Sequence, residues 1–243
     1  MIFKKADTVQ AISSYLADFG KSMGFKNEPI VIPNGVDIKK FDINLNQNER
    51  EEIRRELKLE ENDIALITTS RLVVKNGVGD VIKALLKLPE NIKFVILGEG
   101  ELKQKLIKLA EDLGVSNRVI FKGFVSHDHM LKYLKACDIF IRASLSEGMG
   151  NSFLEAMAAK LPVIATPVGG IVDFLKDDPS KAEIQTGYFC QPQDPESIVK
   201  TVGKVINDPQ KNHVILRAYD MVKAKYDWGL ISKQMEKVFS NHI

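Results

Sequence analysis

Short β-branched runs alternate with longer helical patterns from about residue 63 to residue 190. This alternation is typical of parallel strands that are joined by crossover helices. The strand-like runs lie at residues 64–69, 93–97, 119–122, 138–142, 162–166 and 188–190. The helical patterns lie near residues 77–88, 101–113, 127–136, 148–160 and 170–175. The pattern therefore predicts an α/β fold with a doubly wound parallel sheet of the Rossmann-like kind.

The two ends of the chain follow different patterns. Strand-like runs at residues 8–13 and 29–33 flank a helical stretch at 14–23, and these three elements are too few to complete a layer. Residues 43–63 are polar and charged, which favours a linker followed by one solvated amphipathic helix. After Asp194, apolar residues recur every three or four positions to the end, which predicts helices.

Composition narrows the range of possible ligands. The formal charge of +2, from 34 basic and 32 acidic side chains, is too balanced for a surface that binds nucleic acid by bulk electrostatics. The two cysteines, Cys137 and Cys190, suggest neither a disulfide framework nor a zinc site, and we expect Cys137 to be an inert core thiol. No apolar run reaches the roughly 20 residues that span a bilayer. We expect a cytoplasmic location, with a peripheral position at the inner membrane face left open.

The most informative segment is SLSEGMGNSFLEAMAAKLPVIAT, which reads as a strand, a glycine-bearing loop and a helix that begins near Gly148. The sheet topology places ligands outside the carboxyl ends of the strands, where helix N-termini attract anions. Gly148 and Gly150 let backbone N–H groups approach such a ligand. A fully helical spacing would separate Glu147 from Glu155 by roughly 12 Å, so we expect them to hold different parts of one extended ligand.

A second strand, loop and helix occur in TTSRLVVKNGVGDVIKAL, where Arg71 follows the strand and Lys75 lies in the loop. A guanidinium at that edge can bind a diphosphate in a bidentate fork. Each segment taken alone also fits solvated or ion-paired surface residues. Because both follow strands of the same predicted sheet, we expect their side chains to converge.

Two other patterns were considered. Gly98 and Gly100 follow a strand, but Lys103 stands where a dinucleotide-binding motif has its third glycine, which argues against an NAD-dependent oxidoreductase. His127 and His129 lack a third metal ligand at convincing spacing. We interpret them as solvated residues at a helix start with Ser126 as the N-cap, and we expect no metal.

Seven landmarks, in order, are similar to one known family. The chain resembles the carboxyl-terminal, donor-binding domain of glycosyltransferase family 4 (group 1), which has the GT-B fold. The landmarks are residues 31–41 (VIPNGVDIKKF), 70–77 (SRLVVKNG), 95–103 (VILGEGELK), 119–125 (VIFKGFV), 137–158 (CDIFIRASLSEGMGNSFLEAMA), 162–170 (PVIATPVGG) and 187–198 (GYFCQPQDPESI).

The resemblance implies a retaining transfer of a hexose-type sugar from a nucleoside diphosphate to an acceptor hydroxyl, with no cofactor or metal. It implies that Arg71 binds the diphosphate, that Glu147 contacts the transferred sugar and that Glu155 binds the ribose. The remaining implied donor contacts are Lys75, Asn76, Phe124, Val125, Gly148, Met149, Gly150 and Asn151. The sequence departs from the family at Asn76, because the family has a lysine five positions after the arginine and Lys75 here comes one position early.

The resemblance also implies an organisation and a set of partners. Residues 1–42 resemble a remnant of the amino-terminal acceptor domain with its linker, residues 43–225 the nucleotide-sugar domain, and residues 226–243 a helix that crosses back towards the absent domain. The implied partners are a UDP- or GDP-linked sugar, a glycan or lipid-linked acceptor and the missing amino-terminal domain or a partner chain. Two alternatives stay open, namely a non-catalytic nucleotide-sugar-binding module and a sugar-nucleotide epimerase on the same fold.

Overall fold

The structure, a computed structural model, describes residues 2–41 and 43–240. Its strands and α-helices alternate along most of the chain, as the hydrophobic pattern predicts. The strands are β1 (Gln10–Ala11), β2 (Ile30–Val31), β3 (Ile64–Thr69), β4 (Ile92–Leu97), β5 (Val119–Gly123), β6 (Ile139–Arg142), β7 (Val163–Ala165) and β8 (Tyr188–Phe189). The α-helices are α1 (Ser14–Ser22), α2 (Ile38–Phe41), α3 (Gln47–Glu56), α4 (Val78–Ala84), α5 (Lys103–Asp112), α6 (His127–Ala136), α7 (Asn151–Ala158), α8 (Ile171–Phe174), α9 (Pro195–Asn207), α10 (Lys211–Lys225) and α11 (Trp228–Ser240).

Six strands form one parallel sheet in the order β5-β4-β3-β6-β7-β8, which confirms the predicted fold class. The chain runs outward from β3 to β5, then returns to the other side of β3 and continues outward to β8. The strand order therefore reverses between β3 and β6. A crevice opens at such a reversal because the helices that follow the two strands lie on opposite faces of the sheet.

Both faces of this sheet are buried, which explains why its strands read as nearly continuous apolar runs. Along β3, Ala65 and Ile67 pack into the core on one face, and Leu66 packs into the core on the other. The strands also contain buried polar positions only near their carboxyl ends, as at Thr69 and Arg142. The polar residues thus mark the edge of the sheet at which the crevice opens.

Residues 2–41 form a smaller unit beside the main sheet. Its parallel strands β1 and β2 pair Gln10 with Ile30, and α1 begins at the side-chain cap of Ser13. The linker then contacts the main body, because Val36 pairs with Asp227 just before α11 and Phe41 is fully buried. Two residues of this unit, Ile12 and Asn34, line the crevice.

The polar stretch before β3 contains the single amphipathic helix that its pattern predicts. A capping box begins α3, because Asn46 Oδ1 accepts from the Glu49 N–H at 3.0 Å and Glu49 Oε2 accepts from the Asn46 N–H at 2.8 Å. Two of its residues, Ile53 and Arg54, are buried, so this helix is packed along one side rather than solvated all round.

Candidate functional site

Two adjoining cavities occupy the crevice at the carboxyl ends of β3 and β6. The first encloses about 500 Å³ and the second about 410 Å³. Thr69, Ser70, Arg71 and Ser152 line both, so the cavities are two ends of one extended cleft. The first cavity also contacts Phe124, Val125, His127 and Glu155, whereas the second contacts Asn34, Lys75, Asn76, Arg142, Glu147 and residues 148–151.

The loop after β3 brings Arg71 and Lys75 to the cleft. Both side chains are exposed, and neither makes an ion pair or side-chain hydrogen bond with any other described residue. A backbone hydrogen bond joins this loop to the segment after β6, because the Leu145 N–H donates to the Lys75 carbonyl at 2.7 Å. Two cationic side chains, Arg71 where the cavities join and Lys75 in the second cavity, are therefore available to a bound anion.

Asn76 lies on the same loop but is only 5% exposed. Its Nδ2 donates to the Arg71 carbonyl at 2.6 Å, which closes the short turn between these two residues. Gly77 follows in a left-handed conformation with φ of 64°, and a Cβ there would lie 1.8 Å from the Ala143 carbonyl oxygen. The side chain at position 76 thus faces the second cavity while it stabilises the loop.

The loop after β6 differs from its sequence-based prediction. We expected a helix that begins near Gly148, but α7 begins at Asn151. Gly150 has φ of 88°, a left-handed value that an α-helix does not tolerate, and it serves as the N-cap. The calculation of a fully helical spacing between Glu147 and Glu155 is therefore wrong, because Glu147 lies in the loop.

This loop presents unpaired donors to the second cavity. Within the described part of the chain, no hydrogen bond uses the N–H groups of residues 148–151. The backbone of Gly169 packs tightly against this loop, since a Cβ on Gly169 would lie 1.8 Å from the Glu147 carbonyl oxygen. A row of N–H groups at the start of a helix is a binding site for anions.

The two glutamates line different cavities of the cleft. Glu147 lines the second cavity, where its Oε2 accepts from Arg142 Nη2 at 2.6 Å. Glu155 lines the first cavity, where its Oε1 lies 2.9 Å from His127 Nε2. The arrangement allows them to bind different parts of one ligand, with the cationic loop between them.

His127 is exposed at the start of α6, as expected for a solvated residue, and it also contacts two charged side chains. Besides Glu155 it contacts Lys40, whose ammonium Nζ lies 3.1 Å from His127 Nδ1. An ammonium can only donate, so Nδ1 accepts and the ring proton is on Nε2, directed at Glu155. Lys40 also pairs with Asp128. Sequence reasoning missed this contact because Glu155 is 28 residues away along the chain.

Phe124 and Val125 follow β5 at the rim of the first cavity. The Phe124 ring is 79% exposed, although aromatic side chains this large usually pack inside a protein. Glu99 also lines this cavity, and its carboxylate forms an ion pair with Lys103 at 2.7 Å. The first cavity therefore combines an unpacked aromatic ring with carboxylates, which suits a flat ligand with hydrogen-bond donors.

Arg142 was absent from the residues that the sequence pointed to. It ends β6 and is only 7% exposed. Burial lowers the pKa of its guanidinium, while the carboxylates of Glu147 and Glu155 act in the opposite direction. A charged residue at the end of the apolar run IFIR was the available signal. We interpreted that run only as a core strand.

Unpaired buried hydroxyls lie where β3 meets the cleft. Thr69 Oγ1 and Ser70 Oγ, together with Thr68 Oγ1, have no hydrogen-bond partner among the described residues. Buried polar groups are almost always paired, and each exception calls for an explanation. Thr69 and Ser70 line both cavities, although their hydroxyl oxygens are themselves inaccessible in this structure.

The described ranges contain no group of three or more His, Cys, Asp or Glu side chains that could hold a metal ion. Cys137 and Cys190 are both buried, and burial raises the pKa of each thiol, that of Cys190 to about 12. Residues 2–41 and 43–240 also include no helix that is long and apolar enough to cross a membrane.

Comparison with known proteins identifies similar chains. The model of the family described as "Glycosyl transferases group 1" matches residues 49–220. An uncharacterized glycosyltransferase of Methanocaldococcus jannaschii, MJ1607, is 33% identical over 212 residues, which are 86% of this chain and 53% of that protein. The alpha-monoglucosyldiacylglycerol synthase of Streptococcus pneumoniae is 32% identical over 163 residues, or 65% of this chain and 37% of that protein.

Solved structures share the fold. The crystal structure of HepE from Anabaena in complex with UDP and glucose superposes with a TM-score of 0.88 at 24% identity, over 99% of this chain and 65% of that one. The carboxyl-terminal domain of a group 1 glycosyl transferase, LpcC of Francisella tularensis, gives a TM-score of 0.66 at 26% identity, over 80% of this chain and 100% of that one. The chain spans about half the length of the curated relatives it matches.

Proposed function

The chain belongs to the group 1 glycosyl transferases and has the donor-domain architecture of the GT-B fold, and from this premise we propose that its cleft binds a nucleoside diphosphate sugar for transfer to an acceptor hydroxyl. The diphosphate would lie at the junction of the cavities, against Arg71, Lys75 and the N–H groups of residues 148–151. The ribose would contact Glu155, and the transferred sugar would contact Glu147.

One observation carries this proposal. Arg71, Lys75 and the residues that carry the row of unpaired N–H groups all line the second cavity, and no hydrogen bond or ion pair within the described part of the chain uses these side chains or N–H groups. A diphosphate supplies the acceptor oxygens that these donors need.

The reaction we propose is a retaining transfer of a hexose-type sugar, as family 4 implies. Its difficult step is the departure of the nucleoside diphosphate, on which negative charge develops. Fixed donors around the leaving group stabilise that charge without a metal ion, because they need no reorganisation during the reaction. We assign Arg71 and Glu147 to the reacting end and assign no protein nucleophile.

Phe124, Val125 and Glu155 form the end of the cleft that we propose for the nucleoside. The exposed Phe124 ring and the loop backbone beside it would contact the base, which we propose to be uracil or guanine. Met149 and Asn151 complete the opposite end beside Asn34, whose Nδ2 donates to Asn151 Oδ1 at 3.1 Å. The donor thus extends across both cavities.

A second candidate is a binding module without transfer activity. The chain spans about half the length of its curated relatives, which favours this candidate. The acceptor and any further domain or partner chain therefore belong to our proposal for the whole protein. Glycan or lipid-linked hydroxyls are the acceptors we propose. The epimerase alternative requires both an acid and a base at the sugar, and Glu147 is the one such side chain that we assign to the proposed sugar position.

A calorimetric titration with UDP-glucose and GDP-mannose, run beside an assay for sugar release and transfer, tests the proposal. We expect one nucleotide series to bind, and Arg71→Ala to weaken that binding by about tenfold or more, as for a lost charge-assisted hydrogen bond. Binding without turnover would favour the module. The absence of binding by both sugars and both free diphosphates would refute the donor site.

A further inference from the structure

Arg142 is at the centre of the contacts that shape the second cavity. From the end of β6 its guanidinium donates to the Glu147 carboxylate at 2.6 Å and to Ser152 Oγ, on the first turn of α7, at 2.8 Å. It also donates to Ser144 Oγ at 3.2 Å and to the Thr69 carbonyl at 3.4 Å. One buried cation therefore joins β3, β6, the glycine loop and α7.

Stability alone is a poor explanation for a buried ion pair at this place. The desolvation cost of two buried charges often matches or exceeds their attraction, and apolar replacements of such pairs are frequently as stable. The guanidinium also lies over the Phe153 ring, 4.4 Å from its centroid, so an apolar side chain could fill the same space. The cation has a more specific consequence for Glu147.

Arg118 provides a comparison within the same chain. It is also buried, but its guanidinium donates to the backbone carbonyls of Leu85, Leu88, Pro89 and Ile92, far from the cleft. Those contacts join loops at the opposite end of the sheet. The contacts of Arg142, by contrast, include two side chains that line the cleft, Glu147 and Ser152.

We propose that Arg142 is the positioning residue for Glu147 and thereby sets how tightly the transferred sugar is bound. Arg142 engages Oε2 of the carboxylate, whereas Oε1 has no hydrogen-bond partner within the described ranges. With one oxygen held, the carboxylate can rotate little, and Oε1 is fixed as an acceptor for a sugar hydroxyl. This inference rests on the proposed function, because it assumes that Glu147 contacts the sugar.

The test separates the sugar contact from everything else that the variant changes. For each protein, calorimetry gives the dissociation constants of UDP and UDP-glucose, and of GDP and GDP-mannose as a second pair. The ratio within a pair measures what the sugar adds, because losses shared by both ligands cancel. We expect Arg142→Met to reduce this ratio by about tenfold or more, the size of one lost hydrogen bond to a charged group.

Three further variants give the argument its controls. Arg118→Met should lower the melting temperature and leave the ratio unchanged. Arg142→Lys keeps the positive charge but lacks the several N–H donors of the guanidinium. The ratio of its UDP to UDP-glucose dissociation constants should fall close to that of Glu147→Gln. The double variant Arg142→Met/Glu147→Gln has no unpaired buried charge, so it should fold even if Arg142→Met does not. Its ratio should equal that of Glu147→Gln alone, because Arg142 acts through Glu147.

The outcomes distinguish this inference from the function on which it rests. A wild-type ratio that survives in both Arg142→Met and Arg142→Lys overturns the inference and leaves the proposed function standing. A double variant with a ratio well below that of Glu147→Gln also overturns it, since Arg142 would then act independently. If the wild type binds each sugar nucleotide no better than its diphosphate, the sugar contact of Glu147 is wrong and the inference fails with it.

Discussion

Replacing Asn76 by lysine should tighten the binding of a nucleoside diphosphate. Position 76 lies beside Arg71 and Lys75 in the second cavity, but its neutral amide is bonded to the Arg71 carbonyl at 2.6 Å. An ammonium there would face the proposed diphosphate. Lys75, which is adjacent in sequence, must reach the same place from an exposed position.

The structure sets the size of the expected gain. A hydrogen bond from an ammonium to phosphate contributes about 1.5 to 3 kcal/mol, and the lost amide contact removes about 0.5 to 1.5 kcal/mol from the order of the loop. The midpoints of these two ranges leave a net gain of about 1.25 kcal/mol, which corresponds to roughly eightfold in affinity. The variant itself should be less stable by about 1 kcal/mol, because the buried amide bond is lost.

The assay is calorimetric titration of UDP and GDP at low and at high salt. The gain should shrink as salt rises, because the added contact is between charges. Asn76→Ala is the matched control, since it removes the same amide without adding a charge, and it should bind no better than the wild type. Lys75→Ala should weaken the wild type more than it weakens Asn76→Lys. Unchanged affinity in a folded Asn76→Lys would refute the idea that position 76 faces the phosphates.

Three other changes test separate parts of the account. Glu155→Gln should weaken the binding of UDP and of UDP-glucose by a similar factor of about ten. Glu147→Gln should weaken the binding of UDP-glucose only. If calorimetry showed that Glu147→Gln weakens both ligands equally, the division of roles would be contradicted. Gly169→Ala should lower the melting temperature, because its Cβ would lie 1.8 Å from the Glu147 carbonyl oxygen. Gly203→Ala is the control and should not lower it, because a Cβ there meets no atom within 4 Å. Similar melting temperatures for the two variants would contradict the tight packing of the loop. Burial raises the pKa of Cys190 to about 12, so thiol labelling of the native protein should stay slow up to about pH 9 and become fast only on unfolding; rapid native labelling would contradict this burial.

The parts of the fold that the sequence predicts best are those where local and tertiary preferences agree. The strand at Ile64–Thr69 and the helix at His127–Ala136 have the predicted bounds. In the first, every residue from Ala65 to Thr69 is buried, and in the second the buried residues recur at helical spacing. When the pattern of burial persists along a whole strand or helix, the first and last residues of that element can be predicted.

The start of α7 could not be read from periodicity. The apolar spacing continues back through Met149, which is itself buried, so the pattern predicts a longer helix. The left-handed backbone of Gly150 prevents the helix from extending back to Met149, so α7 begins at Asn151. Glycine adopts that conformation as readily as a helical one, so the apolar spacing does not select between them.

The candidate site was predictable as a place more than as a set of contacts. The topology puts Arg71, Glu147 and Glu155 at one edge of the sheet, because each follows a strand that ends there. The partners of the two glutamates were not predictable. Arg142 belongs to a strand that otherwise reads as core, and His127 reaches Glu155 only because α6 and α7 meet beside the cleft.

A crystal structure of the chain with UDP-glucose or GDP-mannose, whichever binds more tightly, tests the central claim most directly. The account predicts a diphosphate within hydrogen-bond distance of Arg71 and of the N–H groups of residues 148–151. It also predicts the ribose against Glu155 and the sugar against Glu147. A nucleotide bound in the reverse orientation, with its sugar beside Phe124, or bound outside the two cavities, would contradict the account.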